Sequence, residues 1–210
     1  MAIIKNGIFG KISGRMGDKI YSNYKGTQVV KKLPARRKTA PTPAQLKQQV
    51  KFALLMGFLK PVKSILNKAF EKTRLPMTAF NKAFSNNLNA ITGIYPDYQI
   101  DYANVSLCKG AISNPNVIMV EANSEGKLIL SLNRDSLYSI AAIWTLFFIA
   151  AYEEESKRWI YTMNPASIAD QTYEIDLSQN RSKSFHVYAG FMPATGASTI
   201  SLYTGRITVQ

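Results

Sequence analysis

The spacing of hydrophobic residues along this 210-residue chain changes near Pro96. Before that proline, apolar residues recur at helical intervals, and Thr42, Pro43 and Gln45 form a capping box that predicts the start of a helix. Pro61 interrupts the pattern and begins a second helix. We therefore predict about three short helices. Their apolar faces would be Leu46, Val50, Ala53 and Leu54; Val62, Ile65, Leu66, Ala69 and Phe70; and Phe80, Ala83, Phe84, Asn87, Leu88 and Ile91, with Gly93 as the last C-cap.

Beyond that proline the apolar runs become short and are separated by turn residues, which predicts strands at 105–108, 117–120, 127–132, 140–151, 159–163, 173–177, 185–191 and 200–209. Seven or eight strands in roughly 110 residues is typical of an immunoglobulin-like or fibronectin-like sandwich. Alternation in the seventh run places Phe185 and Val187 on one face. His186 and Tyr188 fall on the other face, which we expect to point outward.

The longest uncharged stretch, residues 137–152, is shorter than the roughly 18 to 20 apolar residues that span a bilayer. We interpret it as a buried central strand, or as two strands broken near residues 141–142, and expect no membrane contact. The three glutamates at 153–155 then predict a solvated turn.

Glycines at 7, 10, 14 and 17 mark turns or bulges in the first 40 residues. The stretch KIYSNYKGTQVVKK, residues 19–32, predicts a hairpin that turns at Lys25–Gly26. Its packing residues would be Tyr21, Tyr24, Val29 and Val30. One hairpin is marginal in water, so this arm is expected to need a surface to lie on. The predicted fold class is α+β: a basic, glycine-rich arm with a hairpin (1–40), a helical segment (41–96) and an all-β sandwich (97–210).

Charge is the feature that most changes this picture. Residues 1–74 hold 17 lysines and arginines against two acids, a net charge of +15, whereas residues 75–210 hold nine against eleven, a net charge of −2. A basic segment of this kind favours contact with a polyanion, either nucleic acid or an acidic protein surface. The alternative is a merely soluble basic surface. The candidate contact residues are Lys11, Arg15, Lys19, Tyr21, Tyr24, Lys25, Lys31, Lys32, Arg36, Arg37 and Lys38.

The sequence offers little catalytic chemistry. It has one histidine and one cysteine, and we expect His186 to be an exposed or cross-strand packing residue and Cys108 to be buried and inert. A Cys108–His186 nucleophile pair is disfavoured because neither context resembles a protease signature. No Cys/His cluster predicts a metal site, and the N-terminal glycines lack the GxxxxGK[ST] spacing of a phosphate-binding loop. We expect no enzyme activity and no cofactor.

Four segments together resemble a bacterial family of uncharacterised proteins, a domain of unknown function. They are GIFGKISGRMGDKIYSNYKG, PTPAQLKQQVKFALLMGFLKPVK, MTAFNKAFSNNLNAITGIYPDYQIDYANVSLCKG and VYAGFMPATGASTISLYTGRITV. The resemblance covers nearly the whole chain and implies an immunoglobulin-like or fibronectin-like second half. It brings no accepted activity or site residues. The segment IAAIWTLFFIAAY is more hydrophobic than the family leads us to expect, which leaves room for a partner surface there.

Three functions follow as hypotheses. The first is a non-enzymatic structural or assembly protein of a large bacterial or bacteriophage particle, a homo-oligomer whose basic arm contacts neighbouring subunits or nucleic acid. The second is a soluble, non-specific nucleic-acid-binding protein with the sandwich as scaffold, and the third is a small enzyme. The start MAIIKNGIFGK lacks the apolar core of a signal peptide, which predicts cytoplasmic synthesis without export.

Overall fold

The computed structural model describes residues 3–4, 12–24, 27–35, 39–70, 77–109, 118–123, 126–132, 145–166, 172–180, 182–193 and 201–209. Contacts between residues divide the chain into two compact units, Met1–Pro43 and Ala44–Gln210. The predicted helices and the predicted sandwich strands therefore lie in the same unit.

The first unit is an antiparallel sheet of four strands in sequence order. Its strands are β1 (Ile3–Ile4), β2 (Ile12–Met16), β3 (Lys19–Tyr24) and β4 (Thr27–Lys32). Strands β3 and β4 form the hairpin expected over 19–32, with Tyr24 opposite Thr27. The turn residues Lys25 and Gly26 lie outside the described residues. The sequence pattern did not predict β1, which has only two residues, or β2, in which Gly14, with a φ of 111°, weakens the strand signal.

Three helices open the second unit: α1 (Pro43–Leu59), α2 (Lys63–Ala69) and α3 (Ala79–Asn86). The first begins at Pro43 as predicted, but its predicted apolar face is wrong. Leu46 is exposed, and burial begins further along, at Leu55, Phe58 and Leu59. In α3 the Thr78 hydroxyl accepts a hydrogen bond from the Asn81 amide at 3.2 Å and caps the helix.

The third predicted helix is too long. It ends at Asn86, a 3-10 turn covers Leu88–Ala90, and a hairpin of β5 (Ile91–Ile94) and β6 (Asp97–Ile100) follows. Gly93, the predicted C-cap, pairs with Tyr98 in this hairpin and has a φ of +90°. A Cβ atom there would lie 2.6 Å from the Asp97 carbonyl oxygen, so the close approach of the strands requires glycine.

The remaining strands form two antiparallel sheets, one ordered β10-β9-β12-β13 and the other β11-β8-β7. Seven of the eight predicted runs contain a strand, and the first part of the run at 140–151 lies outside the described residues. The strands are β7 (Ile118–Ala122), β8 (Lys127–Leu132), β9 (Thr145–Glu153), β10 (Arg158–Ala166), β11 (Thr172–Asp176), β12 (Ser184–Pro193) and β13 (Leu202–Thr208).

The predicted strand at 105–108 is wrong, because this segment forms no strand and its backbone bonds to side chains and to the neighbouring turn and loop residues. The Ser106 amide donates to Asn87 Oδ1 at 2.7 Å, and Asn87 Nδ2 donates to the Ser106 carbonyl at 2.8 Å. The Leu107 amide donates to Ser201 Oγ at 2.9 Å. Val105, Leu107 and Cys108 are nevertheless buried, which explains their apolar character and agrees with the burial expected for the cysteine.

Strand β9 lies between two cores. Phe147, Ile149 and Ala151 pack with residues of the three-stranded sheet. Phe148, Ala150 and Tyr152 pack with the helices. Burial on both faces explains why this stretch is apolar without alternation, and the described part of 137–152 is core, as predicted for a central strand.

The predicted solvated turn after β9 is only partly correct. Glu154 and Glu155 are exposed, but Glu153 is buried and its Oε1 lies 2.7 Å from Lys183 Nζ. Burial acts to raise the pKa of Glu153, but hydrogen bonds from Lys183 and Ser156, with the charges of Lys183 and Arg158, outweigh it and hold that pKa below its usual value.

Across the described residues, we find no helix with both the length and the apolar character needed to cross a membrane.

Candidate functional site

The first candidate surface is the four-stranded sheet of the N-terminal unit, here called the basic sheet (β1–β4). Six of the eleven predicted contact residues are described there: Arg15, Lys19, Tyr21, Tyr24, Lys31 and Lys32. All four of these cations are exposed. The other five, Lys11, Lys25, Arg36, Arg37 and Lys38, lie outside the described residues.

Strand register places the cations of the basic sheet close together. Lys19 is directly opposite Lys32 on one face. On the other face Arg15 and Lys31 are both paired with Ile20, one on each side. Like charges directly opposite one another in a sheet are destabilising, and an anion bound between them would remove that repulsion.

Strands β2–β4 of the basic sheet have no buried face. None of the described residues between 12 and 35 is buried, and Tyr24 and Val30 are 50% and 49% exposed. These two residues were predicted to pack, so that prediction is wrong for the chain by itself. The Arg15 side chain is held in the turn after β2, where Nε donates to the Gly17 carbonyl at 3.0 Å.

The second candidate surface is a groove of about 690 Å³ in the second unit, here called the aromatic groove. Its walls come from α1, β6, the 3-10 turn at Tyr102–Asn104 and the turn between β9 and β10. A cavity of this size lined by rings and a few polar groups is suited to a small ligand or a protruding side chain. The lining residues are Ala53, Leu54, Gly57, Phe58, Tyr98, Gln99, Ile100, Tyr102, Tyr152, Glu154 and Lys157.

An aromatic cluster forms the floor of the groove. The ring centroid of Phe58 lies 4.8 Å from that of Tyr152 and 6.0 Å from that of Tyr102. The Trp159 indole packs 4.9 Å from Phe58 and donates from Nε1 to the Phe58 carbonyl at 2.8 Å. Because helix, turn and sheet all contribute rings, the shape of the floor depends on the helix–sheet core being intact.

His186 lies beneath this floor. Its ring stacks on Tyr102 with the centroids 3.9 Å apart, and its Nδ1 is 2.8 Å from the Tyr203 hydroxyl oxygen. Its Nε2 is 3.6 Å from Glu154 Oε2, longer than a hydrogen bond. The alternation predicted for β12 is correct, because the side chains of His186 and Tyr188 lie on one face of the strand and those of Phe185 and Val187 on the other. That face does not point outward, however, since both residues are buried.

Burial dominates the electrostatics of the floor. It lowers the pKa of His186, an effect that Glu154 opposes and the Arg206 charge reinforces. Burial also raises the pKa of Tyr102, as do the neighbouring Tyr152 and Glu154. At neutral pH the histidine and the tyrosines are therefore uncharged. Glu154 and Lys157 are the charged residues of the lining.

The single histidine makes this environment directly measurable. We expect proton NMR titration of its imidazole to give a pKa below the usual 6.5. Because the unfolded chain then binds this proton at a higher pH than the native chain, the His186 contribution to stability is present above about pH 6.5 and is lost as pH falls below that value and through the lower native pKa. Replacement by Gln should flatten the pH dependence of stability in that window. A measured pKa at or above 6.5 would show that the ring is more hydrated than its burial indicates.

Among the described residues, no three His, Cys, Asp or Glu side chains are grouped so that they could hold a metal ion.

Comparison with known proteins gives a family but no activity. A family described as "Family of unknown function (DUF6266)" matches residues 10–205. No curated protein matches. The fn3 domain of the human collagen alpha-1(XX) chain is similar in structure, with 14% sequence identity and a TM-score of 0.34, over 47% of this chain and 82% of that chain. This chain belongs to the family of unknown function DUF6266, in agreement with the resemblance to an uncharacterised family seen in its sequence.

Proposed function

We propose that this protein is a non-enzymatic structural or assembly subunit of a larger particle, and that its basic sheet contacts a neighbouring subunit or nucleic acid. The observation that carries the proposal is a sheet whose residues in β2–β4 are all at least partly exposed and whose cations Lys19 and Lys32 are paired across strands. A sheet without a buried apolar face needs a covering surface for stability. A partner that brings negative charge would supply both the cover and the counter-charge.

The second unit fits the role of a rigid scaffold in this proposal. We interpret its four-stranded and three-stranded sheets as a fibronectin-like sandwich, because residues of both sheets share one buried cluster. Such sandwiches host many unrelated functions, so the fold itself adds no activity.

Neutralising the Lys19–Lys32 pair tests the proposal. We expect Lys19→Gln with Lys32→Gln to weaken self-association roughly tenfold, measured by light scattering over a concentration series. The matched control is Lys63→Gln with Lys68→Gln, which removes the same charge from two exposed positions of α2. Equal effects in the two variants would contradict a specific role for the basic sheet. Aggregation of the first variant alone would instead mean that the lysines protect the edge strand β4 from pairing.

Non-specific nucleic-acid binding is the second candidate function, favoured by the exposed ring of Tyr24 on the same sheet as the cations. In that case the protein would be a monomer that binds nucleic acid at low salt concentration and releases it at high salt concentration. The Lys19→Gln, Lys32→Gln variant would then lower the salt slope of binding by about 2, because each phosphate contact contributes roughly 1. An unchanged slope would exclude these lysines from the contact.

A further inference from the structure

We propose that the outer face of helix α1 binds an amphipathic helix of a different protein, and that acidic residues beside the apolar side of that helix pair with the lysines of α1. This inference goes beyond the proposed assembly function, because the surface lies in the second unit and not on the basic sheet.

Helix α1 carries two apolar stripes, and the described part of the chain covers one of them. Leu55, Phe58 and Leu59 are buried in the core. Because each residue turns a helix by about 100°, a second stripe lies on the opposite side, at residues that are exposed or only partly buried. A helix that is apolar on two sides is typically buried on both, so a partner is expected on the second. This outer stripe consists of Leu46, Val50, Ala53 and Gly57.

The spacing of the outer stripe is suited to a helical partner. Its residues follow one another at intervals of four, three and four positions. Those are the intervals of the a and d positions in a coiled coil, where side chains of one helix fit between those of the other. The stripe runs for about 16 Å, roughly three helical turns, which is long enough to seat a helix.

Gly57 indicates close approach from outside the chain. A glycine in a helix interior destabilises the helix relative to alanine. Packing against the described residues does not require it, since a Cβ atom at Gly57 would meet none of their atoms within 4 Å. Ala53, one turn earlier, is also small. Two small residues four positions apart let a second helix backbone come close to the first.

The aromatic groove opens beside the same two small residues. Ala53 and Gly57 line it together with Tyr98 and Ile100 of the hairpin. Its volume of about 690 Å³ accommodates a large apolar side chain of an approaching helix. The partner would therefore lie along α1 and insert one anchor residue into the groove, as helices do when they bind in apolar grooves.

Charge identifies the partner as a different protein. Lys47, Lys51 and Lys60 lie on α1 or directly after it, and α1 has no acidic residue. Carboxylates beside the apolar side of the partner would complement these lysines. A second copy offers no such helix, because none of the three described helices contains an acidic residue.

A synthetic helical peptide of about three heptads, with leucine at the a and d positions and glutamate at the e and g positions, tests the inference on the full-length protein. We expect the labelled peptide to bind, measured by fluorescence anisotropy. The same peptide with lysine in place of glutamate should bind roughly tenfold more weakly. A peptide of the original composition whose leucines do not share one side is the control. Equal affinity for the three peptides would overturn the inference.

Gly57→Ala separates binding from stability. Because alanine is the better helix former and its methyl group meets no described atom, the variant should unfold at a temperature about 2–4 °C higher. It should nevertheless bind the glutamate peptide roughly tenfold more weakly, because the methyl group prevents the close approach. Gln48→Ala is the matched control, an exposed position on the side of α1 away from the outer stripe, and should leave binding unchanged.

Three results would overturn the inference and leave assembly through the basic sheet standing. The first is full affinity of the Gly57→Ala variant for the glutamate peptide. The second is loss of binding in the Lys19→Gln, Lys32→Gln variant alone, since the peptide would then lie on the basic sheet. The third is a smaller oligomer of Gly57→Ala without any peptide binding by the unmodified protein, which would assign the outer stripe to a second copy.

Discussion

Replacing Phe148 by Ala should destabilise the second unit by about 3–5 kcal/mol, the usual cost of removing a fully buried phenylalanine. Phe148 is 0% exposed and lies in the core between β9 and the helices. Urea unfolding followed by circular dichroism measures the loss. The matched control is Phe52→Ala, since the Phe52 side chain is 48% exposed on α1 and its removal should cost about 1 kcal/mol or less. Equal losses would contradict the two-sided burial of β9.

The same phenylalanine makes a second prediction possible through Gly190, which lies opposite it on β12. A Cβ atom added at Gly190 would lie 2.7 Å from the Phe148 ring and 3.1 Å from Cys108 Sγ. Gly190→Ala alone should therefore cost about 1–3 kcal/mol through overpacking. In the Phe148→Ala background most of this cost should disappear, because the ring that collides with the new methyl group is gone. A double-mutant cycle that shows simple additivity would contradict this packing.

Replacing Asn87 by Leu should cost about 2–4 kcal/mol, because it leaves buried polar groups of the backbone without partners. Asn87 is 0% exposed, and its side chain accepts from the Ser106 amide and donates to the Ser106 and Ala83 carbonyls at 2.7–2.9 Å. These bonds fix the position of the segment around Ser106. That segment follows Tyr102, and Tyr102 lines the aromatic groove.

Asn89→Leu is the control for Asn87, since Asn89 is exposed in the neighbouring 3-10 turn. We expect its effect to stay within about 0.5 kcal/mol. A loss of similar size in the two variants would mean that the change of side chain at the end of α3, and not the lost hydrogen bonds, destabilises the protein.

Strands of the second unit could be predicted where the positions of apolar residues in the sequence match the positions that are buried in the structure. The run over β9 is apolar on both faces because both faces are buried. The register of the β3–β4 hairpin was also predictable. A hairpin predicted to turn at Lys25–Gly26 places Lys19 opposite Lys32, and the structure shows this pairing.

The aromatic groove was not predicted, because its walls come from elements distant in sequence. Alternation placed His186 and Tyr188 on one face, but a sequence pattern does not tell whether a face is covered by a further layer of structure. The hairpin of β5 and β6 was missed for another reason. The apolar residues at 88 and 91 continue the helical spacing of α3, although the Tyr95–Pro96 turn and the β-branched residues before it were an available signal.

The central claim is that this chain assembles through its basic sheet. The most direct measurement is the molar mass of the full-length protein by light scattering after size exclusion, with the 260/280 nm absorbance ratio, at low and at high salt. We expect a discrete oligomer, free of nucleic acid, whose mass falls as salt screens the charges of the contact. A monomer at both salt concentrations would contradict it.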